Sequence, residues 1–278
     1  MRSYTLAYSP CPNDTYVFAA LTNGLLADAP AVNVHLADIE ELNNSAARGE
    51  FELTKVSYGA IPFLMDHYRI LPAGGAIGRG NGPLLVALPG EAPPLFADFA
   101  RKRIAIPGER TTAFLLLQLA LGHRPKTVTM RFDEIVPAVV RGDVDAGLII
   151  HESRFTYQQA GLVSAIDLGD WWEATTGNPI PLGAILVRRD VSDDDARALD
   201  DAIRRSLRFA REREGDIIAY VREHAFEMND DVMRAHIALY VNEYSDDVGA
   251  AGIAAVDDLF ARAARAQLIP AHTHPEFV

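Results

Sequence analysis

The sequence predicts an α/β fold of two lobes that close on each other as a clamshell over a two-strand hinge. Three observations carry that prediction. Residues 48–58, RGEFELTKVSY, and residues 141–151, RGDVDAGLIIH, repeat one pattern at an offset of 93 residues. The pattern is Arg-Gly, an acid, an apolar residue, an acid, and then a strand that ends in polar groups. Glycine and proline concentrate at 74–94 and again at 179–183, where the chain would cross between lobes. Beyond Ser192 the pattern is helix after helix.

Taken in order, Tyr4–Tyr8 is a strand, followed by the polar loop Ser9-Pro10-Cys11-Pro12-Asn13-Asp14-Thr15 and an apolar helix. Ile39–Ala47 is an amphipathic helix that leads into the first Arg-Gly turn and a strand carrying Lys55 and Ser57. Residues 74–83, GGAIGRGNGP, form a glycine-rich connection, and Leu84–Leu88 is a strand. Pro89-Gly90 and Pro93-Pro94 punctuate the first crossing. The second lobe repeats the plan. Arg103–Ile106 is a strand, Pro107–Thr112 a polar loop, and Ala113–Leu121 an apolar helix. Glu134–Val140 is a helix, Arg141-Gly142-Asp143 a turn, and Ala146–Ile150 a buried strand. The return crossing is the strand Ile185–Val187. Helices then start at Ser192, near Gly215, at Asn229 and after Ser245-Asp246-Asp247, each behind capping residues. This helical third is expected to pack on the N-terminal lobe. The division is 1–88 with 188–278 as the larger lobe and 89–187 as the smaller, with the active site in the cleft between them.

The 278 residues suffice for two such lobes. A net charge of −12, from 38 acids against 26 Lys and Arg, disfavours a nucleic-acid backbone or an anionic membrane as partner. It leaves room for a local site for an anionic small molecule. Cys11 is the sole cysteine, which excludes an intrachain disulfide and a cysteine metal cluster. The chain enters a strand directly after Met1-Arg2-Ser3, and no apolar run approaches membrane length, so a cytoplasmic location is expected.

His151 is the leading candidate for chemistry. An imidazole at the carboxyl end of a strand stands where open α/β sheets place ligands, and its pKa suits proton transfer near neutrality. Thr111-Thr112-Ala113 opens a helix, whose free N–H groups suit a carboxylate or phosphate. A plain Thr cap is compatible with that role. Strand alternation puts Lys55 and Ser57 on one face, with Val56 on the other. Lys55 stays open between a cleft cation and a solvated lysine. Cys11, between two prolines, is read as packing rather than as a nucleophile. Residues 78–82, GRGNG, lack the Gly-Lys-Ser/Thr ending of a phosphate loop and precede a strand, so they read as hinge. His272 and His274 read as tail, Trp171-Trp172 as core of the second lobe, and His123, His224 and His236 as structural residues of helices. Glu152, Asp14 and Asn43 are unranked helpers.

Several segments together carry a resemblance over nearly the whole length: SPCPNDTYVF (9–18), TKVSYGA (54–60), GRGNGPLLVA (78–87), IPGERTTAFLL (106–116), AGLIIHESRFTY (146–157), DLGDWWE (167–173), PIPLGAILVRRD (179–190) and HIALYVNEYSDDVG (236–249). The chain resembles the menaquinone-biosynthesis enzymes of the futalosine route. The SPCPNDT and IIHESRFTY segments are the specific ones. A loop-length departure is expected only around Leu121–Lys126, away from the site. The resemblance implies a type II periplasmic-binding-protein-like clamshell used as a cytoplasmic enzyme. It implies a carbon–carbon lyase that converts cyclic dehypoxanthine futalosine to 1,4-dihydroxy-6-naphthoate and releases dihydroxyacetone, with neither metal nor redox cofactor. The family's general base falls on His151. Its substrate-binding positions fall on Lys55, Val56, Ser57, Thr112 and Ala113. The partner is a small-molecule carboxylate, and a homodimer is an open option. Two other readings stand beside it: a solute-binding protein for a small carboxylate, and the sibling chorismate dehydratase.

Overall fold

The computed structural model describes residues 3–90, 96–225, 229–271 and 273–278. The punctuating Pro93-Pro94 and the tail residue His272 lie outside the described residues. Chain order is β1 (Ser3–Tyr8), α1 (Pro12–Thr22), β2 (Ala31–Leu36), α2 (Ile39–Ala47), β3 (Leu53–Ser57), β4 (Tyr68–Gly78) and β5 (Leu84–Ala87). There follow β6 (Arg103–Ile106), α3 (Thr112–Leu121), β7 (Lys126–Thr129), α4 (Phe132–Val140), β8 (Ala146–Ile149), α5 (Ser153–Thr156), β9 (Val163–Asp167) and α6 (Leu168–Thr176). The last elements are β10 (Ile180–Arg188), α7 (Asp193–Glu212), α8 (Glu214–His224), α9 (Asp230–Tyr240), α10 (Glu243–Asp246) and α11 (Gly249–Arg265).

The strands form two five-stranded sheets, ordered β2-β1-β3-β10-β4 and β7-β6-β8-β5-β9. In each, the first three strands run parallel and the fourth runs antiparallel. The two orders match position by position, so the repeat seen at residues 48–58 and 141–151 is a repeat of whole sheets. β3 and β8 hold the same place, and His151 stands where Tyr58 stands in the first sheet.

Sheet membership departs from the expected breaks at 88/89 and 187/188. Leu84–Ala87 pairs with β8 and β9 in the second sheet. Ile180–Arg188 pairs with β3 and β4 in the first. The sheets therefore change over at 79–83 and at 177–179. Gly74–Gly78, expected as connection, closes the eleven-residue strand β4. The two changeovers lie side by side, with Ile180 paired to Gly78. Here Gly82 and Gly169 meet backbone to backbone, and a Cβ on Gly82 would collide with the N and Cα of Gly169. Gly82→Ala is expected to cost about 1–3 kcal/mol through overpacking. A urea melt checks this, and an unchanged midpoint would show that the contact yields.

The helical C-terminal part packs as expected. Leu199, Ile203 and Leu207 of α7, Ile217 and Val221 of α8 and Met233 of α9 share one core with Leu6, Tyr8 and Phe18 of the first lobe. Ser192 caps α7, accepting from the Asp195 amide, and Asn229 caps α9. A second core runs from Val56, Tyr58 and Ile61 to Phe114, Leu116 and Leu148, so it joins the two sheets. Trp172 is wholly buried within it. Among the described residues no helix is long and apolar enough to cross a membrane.

Candidate active site

The two sheets face each other across a cavity of about 640 Å³, open solvent at its mouth included. Lys55, Ser57, Thr112, Ala113 and His151 all line it. The fold thus brings together five of the six predicted site residues, from β3, the start of α3 and the turn after β8. Val56 is the exception. Its side chain is fully buried in the apolar core, because alternation along β3 turns it away from the face that carries Lys55 and Ser57.

On the first wall every residue of β3 is buried, Lys55 included. A buried ammonium requires compensation. Lys55 Nζ donates to Asp14 Oδ1 at 2.7 Å and to the Gly74 carbonyl at 3.3 Å. Asp14 also accepts from Ser9 Oγ at 2.8 Å and from Asn13 Nδ2 at 2.8 Å. Lys55 is therefore half of a buried ion pair and not the unpaired cleft cation that the strand pattern allowed. At the end of β3, Asn43 holds Ser57 twice: Oδ1 accepts from the Ser57 amide at 2.9 Å, and Nδ2 donates to Ser57 Oγ at 3.2 Å.

On the second wall Thr111 caps α3, its hydroxyl accepting from the Phe114 amide and donating to the Gly108 carbonyl. The Thr112 hydroxyl bridges to the first sheet. It donates to the Leu182 carbonyl at 2.8 Å and accepts from the Gly59 amide at 3.0 Å. That side chain is committed to holding the walls together, and what the helix start offers a ligand is the backbone. The Thr112 and Ala113 amides lie in the first turn, which has no acceptor one turn back.

His151 follows β8 in a left-handed conformation, φ +55°. A non-glycine residue pays for that conformation, and such residues cluster at functional sites. Its ring meets Phe132 edge-on at 5.0 Å. Its Nδ1 lies 3.2 Å from Cys11 Sγ, which is also 4.0 Å from Glu152 Oε2. Pro12 occupies the first position of α1, and the Cys11 side chain makes no cap bond, which leaves the sulfur facing His151. Burial pushes the Cys11 thiol well above its ordinary range and keeps it protonated. Burial lowers the His151 pKa below 6.5, so the imidazole is neutral at pH 7. Among the described residues Cys11, His151 and Glu152 are also the one group spaced to hold a metal ion, with ligand atoms within 4.8 Å of one another.

Asn81, His236 and Tyr240 are among the lining residues that the sequence reading did not place at the site. His236 was expected to be structural, yet it borders the cavity, with Nε2 2.9 Å from Asn13 Oδ1. Burial holds its pKa well below 6.5, and the nearby His151 adds to the effect. Unfolding frees this group to take up a proton below pH 6.5, whereas the folded state refuses it. Its contribution to stability is therefore complete above pH 6.5 and declines as the pH falls. The expected slope from this residue is about 1.4 kcal/mol per pH unit below 6.5. Urea melts between pH 8 and pH 5 measure it, and a His236→Gln protein should lose that part of the slope.

A family model described as menaquinone biosynthesis matches residues 4–265. The 1,4-dihydroxy-6-naphthoate synthase of Thermus thermophilus is 48% identical over 279 residues, covering all of both chains. The enzyme of the same name from Streptomyces coelicolor is 47% identical over 271 residues, covering 96% of this chain and 94% of its own. A crystal structure of a protein from Archaeoglobus fulgidus superposes with a TM-score of 0.90 at 36% identity, covering 96% of this chain and 98% of that one. The alkanesulfonate-binding protein SsuA of Xanthomonas axonopodis pv. citri, bound to MOPS, superposes with a TM-score of 0.75 at 14% identity, covering 98% and 96%. At that identity it shares the fold alone, the two-lobed clamshell of periplasmic binding proteins.

Proposed function

Because the chain belongs to the menaquinone-biosynthesis family, we propose that it is a carbon–carbon lyase that converts cyclic dehypoxanthine futalosine to 1,4-dihydroxy-6-naphthoate and releases dihydroxyacetone. The observation that carries this reading is a neutral imidazole, His151, at a strained strand end in the cavity between the two sheets.

Fragmentation begins with removal of a proton beside an activated carbonyl, and His151 is the base. Its Nδ1–H is directed at the Cys11 sulfur, and the Cys11 thiol proton at Glu152. That arrangement leaves Nε2 as the basic nitrogen. The carboxylate of the substrate binds the Thr112 and Ala113 amides at the positive end of α3. Lys55, with two of its three protons spent on Asp14 and Gly74, and Ser57, held by Asn43, orient the other side of the ring. The residues around each sheet act as lobes that part at 79–83 and 177–179 to admit substrate and close to exclude water. The protein works in the cytoplasm.

Purified protein incubated with cyclic dehypoxanthine futalosine tests the proposal. Release of the naphthoate chromophore is expected, and its absence, with turnover of chorismate instead, would assign the sibling reaction. Cys11→Ala is expected to lower kcat about tenfold or more with KM unchanged, the loss of one hydrogen bond to a group that becomes charged. Cys11→Ser, which can both accept from Nδ1 and donate to Glu152, should recover most of that loss. An alanine protein with wild-type kcat would remove Cys11 from the base assembly.

A further inference from the structure

Two buried polar side chains on the cavity wall have no part in the scheme above. Asn81 is 1% exposed, and neither its Nδ2 nor its Oδ1 has a hydrogen-bond partner among the described residues. It sits on the 79–83 changeover, its amide packed against Gly78 so closely that a Cβ there would collide with Nδ2. His236 is also 1% exposed, and its Nδ1 has no partner. Both line the cavity.

The tautomer of His236 follows from its neighbours. The Asp14 carboxylate takes a proton donor from Lys55 and another from Asn13 Nδ2. The Asn13 amide is thereby oriented with Oδ1 toward His236. An amide oxygen only accepts, so His236 Nε2 carries the proton and donates to it. Nδ1 is then a bare lone pair on a ring that packs at a tilt of 35° against the Tyr240 ring 4.6 Å away. The wall thus presents one fixed acceptor at His236, with one donor and one acceptor at Asn81. Buried groups of this kind are costly unless something bonds to them. The matching ligand bears adjacent hydroxyl and carbonyl groups. A hydroxyl donates to Nδ1, and its neighbours pair with the amide.

We propose that Asn81 and His236 form a hydroxyl-recognition subsite that holds the polyhydroxylated carbon chain of the substrate, the part that leaves as the three-carbon hydroxyketone. This rests on the lyase reading and assigns the two ends of the cavity: the carboxylate at the start of α3, the hydroxylated chain at Asn81 and His236.

Dihydroxyacetone and 1,4-dihydroxy-6-naphthoate serve as separate probes of the two ends. In titrations of His236→Phe and Asn81→Leu, affinity for dihydroxyacetone is expected to fall at least tenfold, while that for the naphthoate stays within twofold. KM for the full substrate should rise by a similar factor. In the unaltered protein labelled with ¹⁵N-histidine, the His236 Nδ1 resonance should shift on addition of dihydroxyacetone. Equal losses for both probes, or no loss for either, would overturn the subsite, as would an Nδ1 resonance indifferent to dihydroxyacetone. Failure of the lyase reading is a separate result, namely no turnover by the unaltered protein. The resonance experiment guards against variants that fold poorly.

Discussion

Replacing His151 by asparagine is expected to lower kcat by about 10² to 10⁴-fold, the range for losing a positioned general base, with little change in substrate affinity. Asparagine is the informative replacement because the residue adopts φ +55°. Asparagine tolerates that conformation, so the backbone strain is not added to the chemical loss. The unaltered enzyme should also stay active as the pH falls below 6.5, since burial lowers the His151 pKa and keeps the base unprotonated there. The acid limb of its kcat/KM profile should vanish in the variant. A variant with near wild-type kcat would refute the base assignment while leaving the lyase reading intact.

The largest loss of stability is expected from Lys55→Met. The Lys55–Asp14 pair, 2.7 Å apart with side chains 5% and 2% exposed, sits at the cavity wall almost out of reach of solvent. Removing one partner strands the other charge without water, at about 3–5 kcal/mol. Asp14→Asn should cost a similar amount. The double variant should recover much of it, since a buried pair as a whole contributes little net stability. Chemical denaturation of the three proteins checks this. Additive losses would mean that water reaches the pair. The single variants should also disturb His236, because Asp14 fixes Asn13 and Asn13 fixes the imidazole.

Much of this architecture is legible in the sequence because it depends on local signals. The Arg-Gly turns, the capping residues at Ser192 and Asn229, and the apolar strand before His151 each act within a few residues. What depends on partners far along the chain is not legible. Lys55 alternates with Val56 whether its ammonium meets water or Asp14, and only the fold decides. Leu84–Ala87 is plainly a strand, but nothing in four residues says which sheet accepts it. β2 and β7 lie on sheet edges, half open to solvent, so their apolar pattern is weak. His236 shares a buried helical face with Met233 and Tyr240. Periodicity marks that face as buried and does not distinguish a core from a cavity wall. Asn81 sits among glycines with no periodicity at all. The strand end singled out His151, strand alternation Lys55 and Ser57, and the helix start Thr112 and Ala113, while the resemblance supplied their roles. The residues that complete the cavity needed the tertiary contacts.

The position of β10 has a consequence for how the chain comes to be folded. The second sheet draws every strand from one continuous stretch, residues 84–167, whereas β3 and β4 of the first sheet each pair with β10 and not with each other. During synthesis the first 78 residues therefore emerge with open strand edges that nothing nearby can cover. The contiguous second sheet is expected to assemble before the first is complete, because β10 emerges only after it, and a pulse-labelled hydrogen-exchange experiment that protects β10 before β8 would refute that order. Long-range pairing of this kind is slow, and it leaves apolar edges available to other chains in the interval. Truncation before Ile180 should thus yield an ordered second lobe attached to an aggregation-prone first one.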